Sequence, residues 1–137
     1  MSADWPDEPP PLAPEPLARL REGLGLLLAF DYARDPDDED GFSEAIFRLT
    51  DQLYTEGWYH YGYDQREGMD LLERPHLIGR LDARAWVRLL IYIHRGDYWT
   101  SGPSGKTFWA PLVADGRLRE MDRRLFGIIG ELEREQR

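Results

Sequence analysis

The segment "ARAWVRLLIYIH", residues 83–94, decides the fold class of this chain. Asp82 stands directly before it, and aspartate is a residue type that caps helix N-termini. Apolar residues recur in the segment every three or four positions, which is the period of an amphipathic α-helix. The pattern predicts a helix that Asp82 caps and that runs to about His94. Its inner face would carry Ala85, Trp86, Leu89, Leu90 and Ile93.

Two further helices are predicted after this segment. A short one runs from about Phe108 to Ala114 and ends at Gly116. The last one has apolar residues at helical spacing. It would turn inward Leu118, Met121, Leu125, Ile128, Ile129 and Leu132.

Three helices are predicted before the segment. The first begins after Pro16 and continues to about residue 30. The second ends at Gly57, a residue type that favours the left-handed conformation after a helix. Its apolar stripe consists of Phe42, Ile46, Leu49 and Leu53. The third begins at Asp64, which has capping-box spacing to Glu67, and ends before Pro75.

The predicted fold class is therefore mainly α, a small single-domain bundle of about five to six helices over residues 17–137. The aromatic segment "WYHYGY", residues 58–63, would be a short strand or an aromatic loop. Residues 1–16 are acidic and hold most of the prolines, so we expect an extended or disordered lead-in. A length of 137 residues fits one domain.

The amino-acid composition indicates where the protein is located in the cell and which partners it can bind. The chain has no cysteine, and no apolar run approaches the roughly 20 residues that span a bilayer. Its N-terminus is acidic and proline-rich where a signal peptide would be basic and then apolar, so we expect a cytoplasmic protein. The net charge is −9, and residues 1–56 carry 14 Asp and Glu against 4 Arg. Such a charge repels nucleic-acid backbones, which disfavours a nucleic-acid partner.

The segment "SGPSGKTFWAP", residues 101–111, contains the Gly-Lys-Thr order of many phosphate-binding loops. The complete loop needs another glycine five residues before Gly105, but Thr100 stands there. It also needs a preceding buried strand, whereas the preceding segment has a helical pattern. Pro111 would shorten the helix that should follow. We therefore interpret the segment as a turn between two helices and expect no nucleotide cofactor.

The sequence shows no catalytic or metal-binding constellation. The histidines His60, His76 and His94 lack the spacing of metal ligands, and no nucleophile-elbow pattern occurs. The acidic segment "DPDDEDG", residues 35–41, lacks the ligand register of a calcium loop. We expect no metal and favour a non-enzymatic function, with an unrecognised enzyme left open.

A basic ridge is predicted on the outer face of the helix that Asp82 caps. Its members fall within about 80° around the helix axis, and they are Arg80, Arg84, Arg88 and Arg95. The ridge would be a solvated face that pairs with the acidic front of the chain, or a carboxylate or phosphate contact beside aromatic residues. The aromatics would line a groove or form the rim of the core. The candidate binding residues are Arg84, Arg88, Arg95, Tyr98, Trp99, Trp109, Trp58 and Tyr61.

Four stretches follow one another as "LYTEGW" (53–58), "ERPHLI" (73–78), "LLIYIHRGDYWTSG" (89–102) and "GRLREMDRRL" (116–125). In order and spacing, residues from about 47 to 125 resemble a bacterial family, domain of unknown function 6508. In this resemblance Arg95 matches the family's first arginine and Trp99 its phenylalanine, whereas Tyr98 replaces its second arginine. The resemblance implies a small helical domain and no particular activity.

These observations favour a non-catalytic helical interaction domain that binds a protein or peptide partner through the aromatic segments and the basic ridge. The alternative is an acidic nucleic-acid mimic or inhibitor, for example a phage-encoded antagonist of a defence system, which the charge of residues 1–56 suggests. A further alternative is single-stranded nucleic-acid binding by aromatic stacking. Neither the partner's identity nor the oligomeric state is readable from the sequence.

The interpretation of the Gly-Lys-Thr segment gives a first prediction. We expect no binding of ATP or GTP at micromolar affinity, because the first glycine and the preceding strand of a phosphate loop are both missing. Titration calorimetry with each nucleotide and Mg²⁺ measures this. Micromolar binding that Lys106→Ala abolishes would contradict the interpretation.

Overall fold

The structure is a computed structural model that describes residues 12–29, 39–101 and 109–136. Its α-helices are, in chain order, α1 (Pro14–Ala29), α2 (Glu39–Thr55), α3 (Gln65–Glu73), α4 (Ala83–Ser101), α5 (Trp109–Ala114) and α6 (Arg117–Glu135). A first 3₁₀-helix (Trp58–Tyr61) joins α2 to α3, and a second (Pro75–Arg80) joins α3 to α4. No strand occurs in these ranges, and the predicted mainly α class is confirmed.

Helices α3 and α4 begin where the sequence predicts. The Asp64 Oδ1 atom accepts a hydrogen bond from the Glu67 N–H at 2.9 Å. The Asp82 Oδ1 atom accepts one from the Ala85 N–H at 2.8 Å. Each bond satisfies an amide that the first turn of a helix leaves without a backbone partner. Both predicted caps are confirmed.

Helix α4 extends to Ser101 and not to about His94, so the predicted end is wrong. Gly96 lies inside the added stretch, but one glycine costs a helix only about 1 kcal/mol and does not end it. The first proline beyond it is Pro103. Helix α1 likewise begins at Pro14, before the predicted start, because proline is tolerated in the first turn of a helix.

The aromatic segment 58–63 is neither a strand nor an irregular loop, since its first four residues form the first 3₁₀-helix. Gly57 and Gly62 enclose this helix, with φ of 74° and 70°. Residues other than glycine rarely adopt a positive φ. A strand would need a neighbouring strand for its backbone hydrogen bonds, whereas here the Gly62 N–H donates locally to the Tyr59 carbonyl at 3.2 Å.

Several predictions concern residues outside the described ranges. They are most of the lead-in, the greater part of the acidic segment 35–41, and residues 102–108, which contain the Gly-Lys-Thr order. The interpretation of that order as a turn stays a prediction.

The core forms around α1 and α4. Helix α1 packs against both α2 and α6, and it buries Leu17, Leu20, Leu24 and Leu27. Helix α4 packs against α3, α6 and the first 3₁₀-helix. Its predicted inner face is confirmed for Trp86, Leu89, Leu90 and Ile93, all of which are buried.

Hydrogen bonds to backbone carbonyls fix α6 beneath this core. The Trp86 Nε1–H donates to the Met121 carbonyl at 2.9 Å, inside the apolar interior. Arg124 Nε donates to the Leu81 carbonyl at 2.6 Å, and Arg117 donates to the Leu72 carbonyl at 3.1 Å. These carbonyls lie on both sides of the second 3₁₀-helix, so α6 holds that connection in place.

Helix α3 approaches α4 at a glycine, and this contact gives a second prediction. A Cβ atom added at Gly68 would lie 2.3–2.7 Å from ring atoms of Tyr92. We expect Gly68→Ala to lower the free energy of unfolding by about 1–3 kcal/mol, because the two helices must separate to admit the methyl group. Urea unfolding followed by circular dichroism measures the change.

Gly25→Ala is the matched control for this prediction. A Cβ at Gly25 meets no atom within 4 Å. Alanine there is expected to raise the free energy of unfolding by about 0.5–1 kcal/mol through helix propensity alone. Equal effects of the two substitutions would contradict the close approach of α3 to α4.

Candidate functional site

Three arginines of the predicted basic ridge, Arg84, Arg88 and Arg95, lie on α4, and each has a side chain of another element beside it. Arg84 places its Cζ atom 5.4 Å from the centre of the Tyr61 ring. Arg88 lies with its terminal nitrogen 3.7 Å from Glu67 Oε2. Among the described residues, Arg84 thus lies over the first 3₁₀-helix and Arg88 beside α3. The predicted pairing with the acidic front of the chain stays a prediction, because most acidic side chains of that front lie outside the described part of the chain.

The other two arginines of the predicted ridge, Arg95 and Arg80, lie on different elements. Arg95 places its Cζ atom 5.8 Å from the centre of the Tyr59 ring, and its side chain is hydrogen-bonded to Tyr63. Arg80 belongs to the second 3₁₀-helix and is exposed, so its predicted place on the same helical face is wrong. The helical period that grouped it with the others does not continue past Asp82, where α4 is capped.

Tyrosines of α2, of the aromatic segment and of α4 lie near these arginines. Tyr54, on α2, stacks on Tyr59 with ring centres 4.9 Å apart and planes 20° apart. Its hydroxyl lies 3.0 Å from Nε2 of His94, which meets the Tyr54 ring edge-on at 5.8 Å. The ring centres of Tyr63 and Tyr92 lie 6.1 Å apart. We call this set the tyrosine–arginine cluster: Tyr54, Tyr59, Tyr61, Tyr63, Tyr92, His94, Arg84 and Arg95.

Local sequence explains why these side chains converge. Gly57 turns the chain after α2, and Gly62 turns it again after the first 3₁₀-helix. Between the two turns Trp58 is buried, with 1% of its surface exposed, which holds the short helix against the core. Tyr59 and Tyr61 are then only partly buried and lie against α4. One buried tryptophan between two glycines therefore aims two tyrosines at the arginines.

The tryptophans among the predicted binding residues require a correction. Trp58 is 1% exposed and Trp109 is 0% exposed, and both belong to the core. Their large apolar rings stabilise the fold by leaving water, which a surface contact would not allow. Their predicted place on a binding surface is therefore wrong, whereas Arg84 does lie over the Tyr61 ring.

Tyr98 and Trp99 stay predictions. Their backbone is part of the last turns of α4, but their side chains lie outside the part of the chain that the structure describes. His60 of the first 3₁₀-helix falls in the same category. The described cluster is thus built without these three side chains.

Burial shifts the pKa of several groups in the cluster. It raises the pKa of the hydroxyls of Tyr59, Tyr61 and Tyr92, which moves these values further above neutral pH. Burial lowers the pKa of His94, and the neighbouring Arg95 lowers it further. Neutral His94 can accept a hydrogen bond from the Tyr54 hydroxyl. At neutral pH the cluster therefore combines arginine cations with neutral hydrogen-bonding rings.

The predicted binding residues did not include five members of this cluster, which are Tyr54, Tyr59, Tyr63, Tyr92 and His94. Tyr54 lies on α2, before the aromatic segment, and Tyr63 is the last residue of that segment. Both side chains are exposed in part, Tyr54 by 53%. A signal for Tyr54 exists, since it stands seven residues after the exposed Phe47 on α2 and outside the buried stripe. His94 had no such signal, because its contact with Tyr54 spans 40 residues of sequence.

Comparisons with protein-family models, with curated proteins and with solved structures found no match. The resemblance to domain of unknown function 6508 therefore stays a prediction. The described residues include no group of three or more His, Cys, Asp or Glu side chains arranged to hold a metal ion. In the same residues no helix has the length and apolar character that crossing a bilayer requires.

The environment of His94 gives a third prediction, on acid stability. In the unfolded chain the pKa of histidine is about 6.5, and in the folded chain the pKa of His94 is lower. Above about pH 6.5 both states are neutral at this side chain and it contributes no pH dependence. As the pH falls below that value the unfolded state binds the proton first, so the free energy of unfolding decreases.

His94→Gln isolates this contribution, because glutamine can still accept the Tyr54 hydrogen bond and does not titrate. We expect the wild type to lose more stability than the variant between mildly alkaline and mildly acidic pH, measured by urea unfolding. Parallel losses in the two proteins would show that His94 is not the titrating group.

Proposed function

We propose that this chain is a non-catalytic helical domain that binds a protein or peptide partner through the tyrosine–arginine cluster. The observation that carries the proposal is the half-exposed stack of Tyr54 on Tyr59 beside Arg95. Tyrosine and arginine are the residue types most enriched among the energetically dominant contacts of protein interfaces. Rigid aromatic rings also lose little conformational entropy on binding.

The chemistry of the cluster favours a partner with carboxylate and apolar groups. Arg95 and Arg84 supply cations, and the tyrosine hydroxyls supply hydrogen-bond donors. Arginine pairs with carboxylates through two parallel N–H groups, and exposed ring faces accept apolar side chains. An acidic peptide segment with an aromatic or aliphatic residue matches both features.

The burial of two tryptophans and the net charge also favour a protein or peptide partner over a nucleic acid. Trp58 and Trp109 are buried, which removes two of the rings that stacking on nucleic-acid bases would use. The net charge of −9 repels a polyanion. The acidic-mimic alternative depends mainly on Asp37, Asp38, Glu39 and Asp40, whose side chains lie outside the described residues, so it stays an alternative without structural support.

A cytoplasmic location is part of the proposal. A chain without cysteine forms no disulfide, so a reducing compartment costs it no stability.

Selection from a peptide library gives a fourth prediction. Peptides selected by the full-length chain should be enriched in Asp or Glu beside an aromatic or aliphatic residue. Tyr54→Ala should weaken a selected peptide about tenfold or more, the loss expected for a central interface tyrosine. Fluorescence anisotropy measures the affinity, which should fall as salt rises because the contact is partly ionic.

Phe126→Ala is the control, since Phe126 is also an exposed ring but lies on α6 and contacts Arg21 instead of the cluster. It should leave the affinity unchanged. The proposal is wrong if no peptide is selected, or if Tyr54→Ala and Phe126→Ala bind the selected peptides equally well.

A further inference from the structure

His94, on α4, contacts the exposed ring of Tyr54 on which the proposed function depends. Its Nε2 atom lies 3.0 Å from the Tyr54 hydroxyl, and the two rings meet edge-on with centres 5.8 Å apart. Tyr54 is 53% exposed, whereas His94 is partly buried. A partner that binds the Tyr54 hydroxyl therefore comes close to an ionisable group.

The Tyr54 hydroxyl has a single hydrogen and is hydrogen-bonded to two neighbours. One neighbour is Nε2 of His94, and the other is the hydroxyl of Tyr59. A phenol donates one hydrogen bond and accepts others through its oxygen. When Nε2 of neutral His94 accepts the Tyr54 hydrogen, Tyr59 supplies the hydrogen of the second bond. Tyr54 then has no hydrogen left to donate to a partner.

Protonation of His94 reverses the bond between His94 and Tyr54. Both ring nitrogens of a protonated histidine are donors, so Nε2–H then donates to the Tyr54 oxygen. The Tyr54 hydrogen is released and can be donated to a carboxylate, which accepts hydrogen bonds and has none to donate. In the neutral tautomer with a hydrogen on Nε2 the Tyr54 hydrogen is already released, and protonation adds only the positive charge. Both routes favour a carboxylate.

The groups around His94 oppose its protonation in the free protein. Tyr54 faces it from α2, and Tyr59 of the first 3₁₀-helix lies beyond Tyr54. Burial lowers the pKa of His94, and the cation of Arg95 on α4 lowers it further. No carboxylate among the described residues raises it. A partner that brings a negative charge would therefore supply what protonated His94 lacks in this part of the chain.

We propose that His94 makes the tyrosine–arginine cluster specific for a carboxylate bound at the Tyr54 hydroxyl, and that binding of this carboxylate takes up a proton on His94. The inference rests on the proposed function, because it assigns one group of the acidic peptide to one place in the cluster. Two successive hydrogen bonds place that carboxylate oxygen at most about 6 Å from Nε2. Opposite charges at such a distance favour each other's ionised form.

The linkage between proton and peptide determines the sign and the size of the effect. A peptide that binds protonated His94 more tightly gains affinity as the pH falls. For an opposite charge at this distance we expect a gain of about three- to tenfold between about pH 7.5 and about pH 5.5. The carboxylates of the peptide stay ionised over this range, because their own pKa is about 4.

Fluorescence anisotropy with the tightest acidic peptide that the full-length chain selects, at about pH 7.5 and about pH 5.5, tests the proposal. The wild type should bind about three- to tenfold more tightly at the lower pH. His94→Gln does not titrate and should lose this gain. Tyr54→Phe keeps the ring and should also lose most of the gain, because the carboxylate then has no donor beside His94. The same peptide with Asn and Gln in place of Asp and Glu should show no gain.

His76→Gln is the matched control, because His76 is an exposed histidine of the second 3₁₀-helix, outside the cluster. It should keep the gain of the wild type. His60→Gln and Asp97→Asn should keep it as well, and they are included because both side chains are near His94 in sequence or beside the cluster's tyrosines and lie outside the described residues. Circular dichroism at each pH verifies that every variant is folded.

The outcomes separate this proposal from the one on which it rests. If Tyr54→Ala weakens the peptide at the higher pH but wild type and His94→Gln share one pH dependence, peptide binding stands and the role of His94 is wrong. That role is also wrong if a control variant abolishes the gain, or if the peptide without carboxylates retains it. If no acidic peptide binds at either pH, both proposals are wrong.

Discussion

The hydrogen bond from the Trp86 indole to the Met121 carbonyl fixes the orientation of α4 on α6. An indole N–H buried without an acceptor would cost about 1–3 kcal/mol, so α4 is held in the rotation that makes this bond. With that rotation set, the apolar face of α4 covers the core and its arginines face α3 and the aromatic segment. The candidate surface is thus a consequence of a contact on the opposite side of the same helix.

The tyrosines and arginines of the cluster contribute to the fold as well as forming a surface. Arg84 and Arg95 lie over tyrosine rings, so their charges are stabilised without full burial. The rings in turn cover part of α4 while leaving an edge or a face exposed. A ridge of unpaired arginines would instead be mobile and strongly hydrated. Packing between these residues restricts their side chains and gives the surface a defined shape.

The sequence predicted the features that depend on local chemistry. The caps at Asp64 and Asp82 follow from a side chain that reaches an amide three residues away, and the inner face of α4 follows from a 3.6-residue period. The end of α4 was wrong because neither cap nor proline marks it within the predicted range. A helix end that no cap residue or proline marks leaves no local signal in the sequence.

The candidate site was predicted only in part, for a tertiary reason. The arginines were found because they share one helix. Trp58 and Trp109 were misplaced because the density of aromatic residues along a sequence does not show which rings enter the core. Tyr54 and His94 were missed because they come together only when α2 and α4 pack. Contacts between distant segments leave no periodic pattern in either one.

The pairing of α1 with α6 also affects the order in which the chain can acquire its structure. The ion pair of Arg21 with Asp122 joins residues 101 positions apart, so closing this contact requires ordering a long intervening chain. During synthesis the leucines of α1 emerge well before the helix that covers them. Among the described helices, α1 packs mainly against α2 and α6. Until α6 is synthesised, α2 covers one part of the apolar face of α1 and the part that α6 will cover stays open. The apolar face of α1 is therefore exposed to aggregation during the interval between the synthesis of α1 and that of α6.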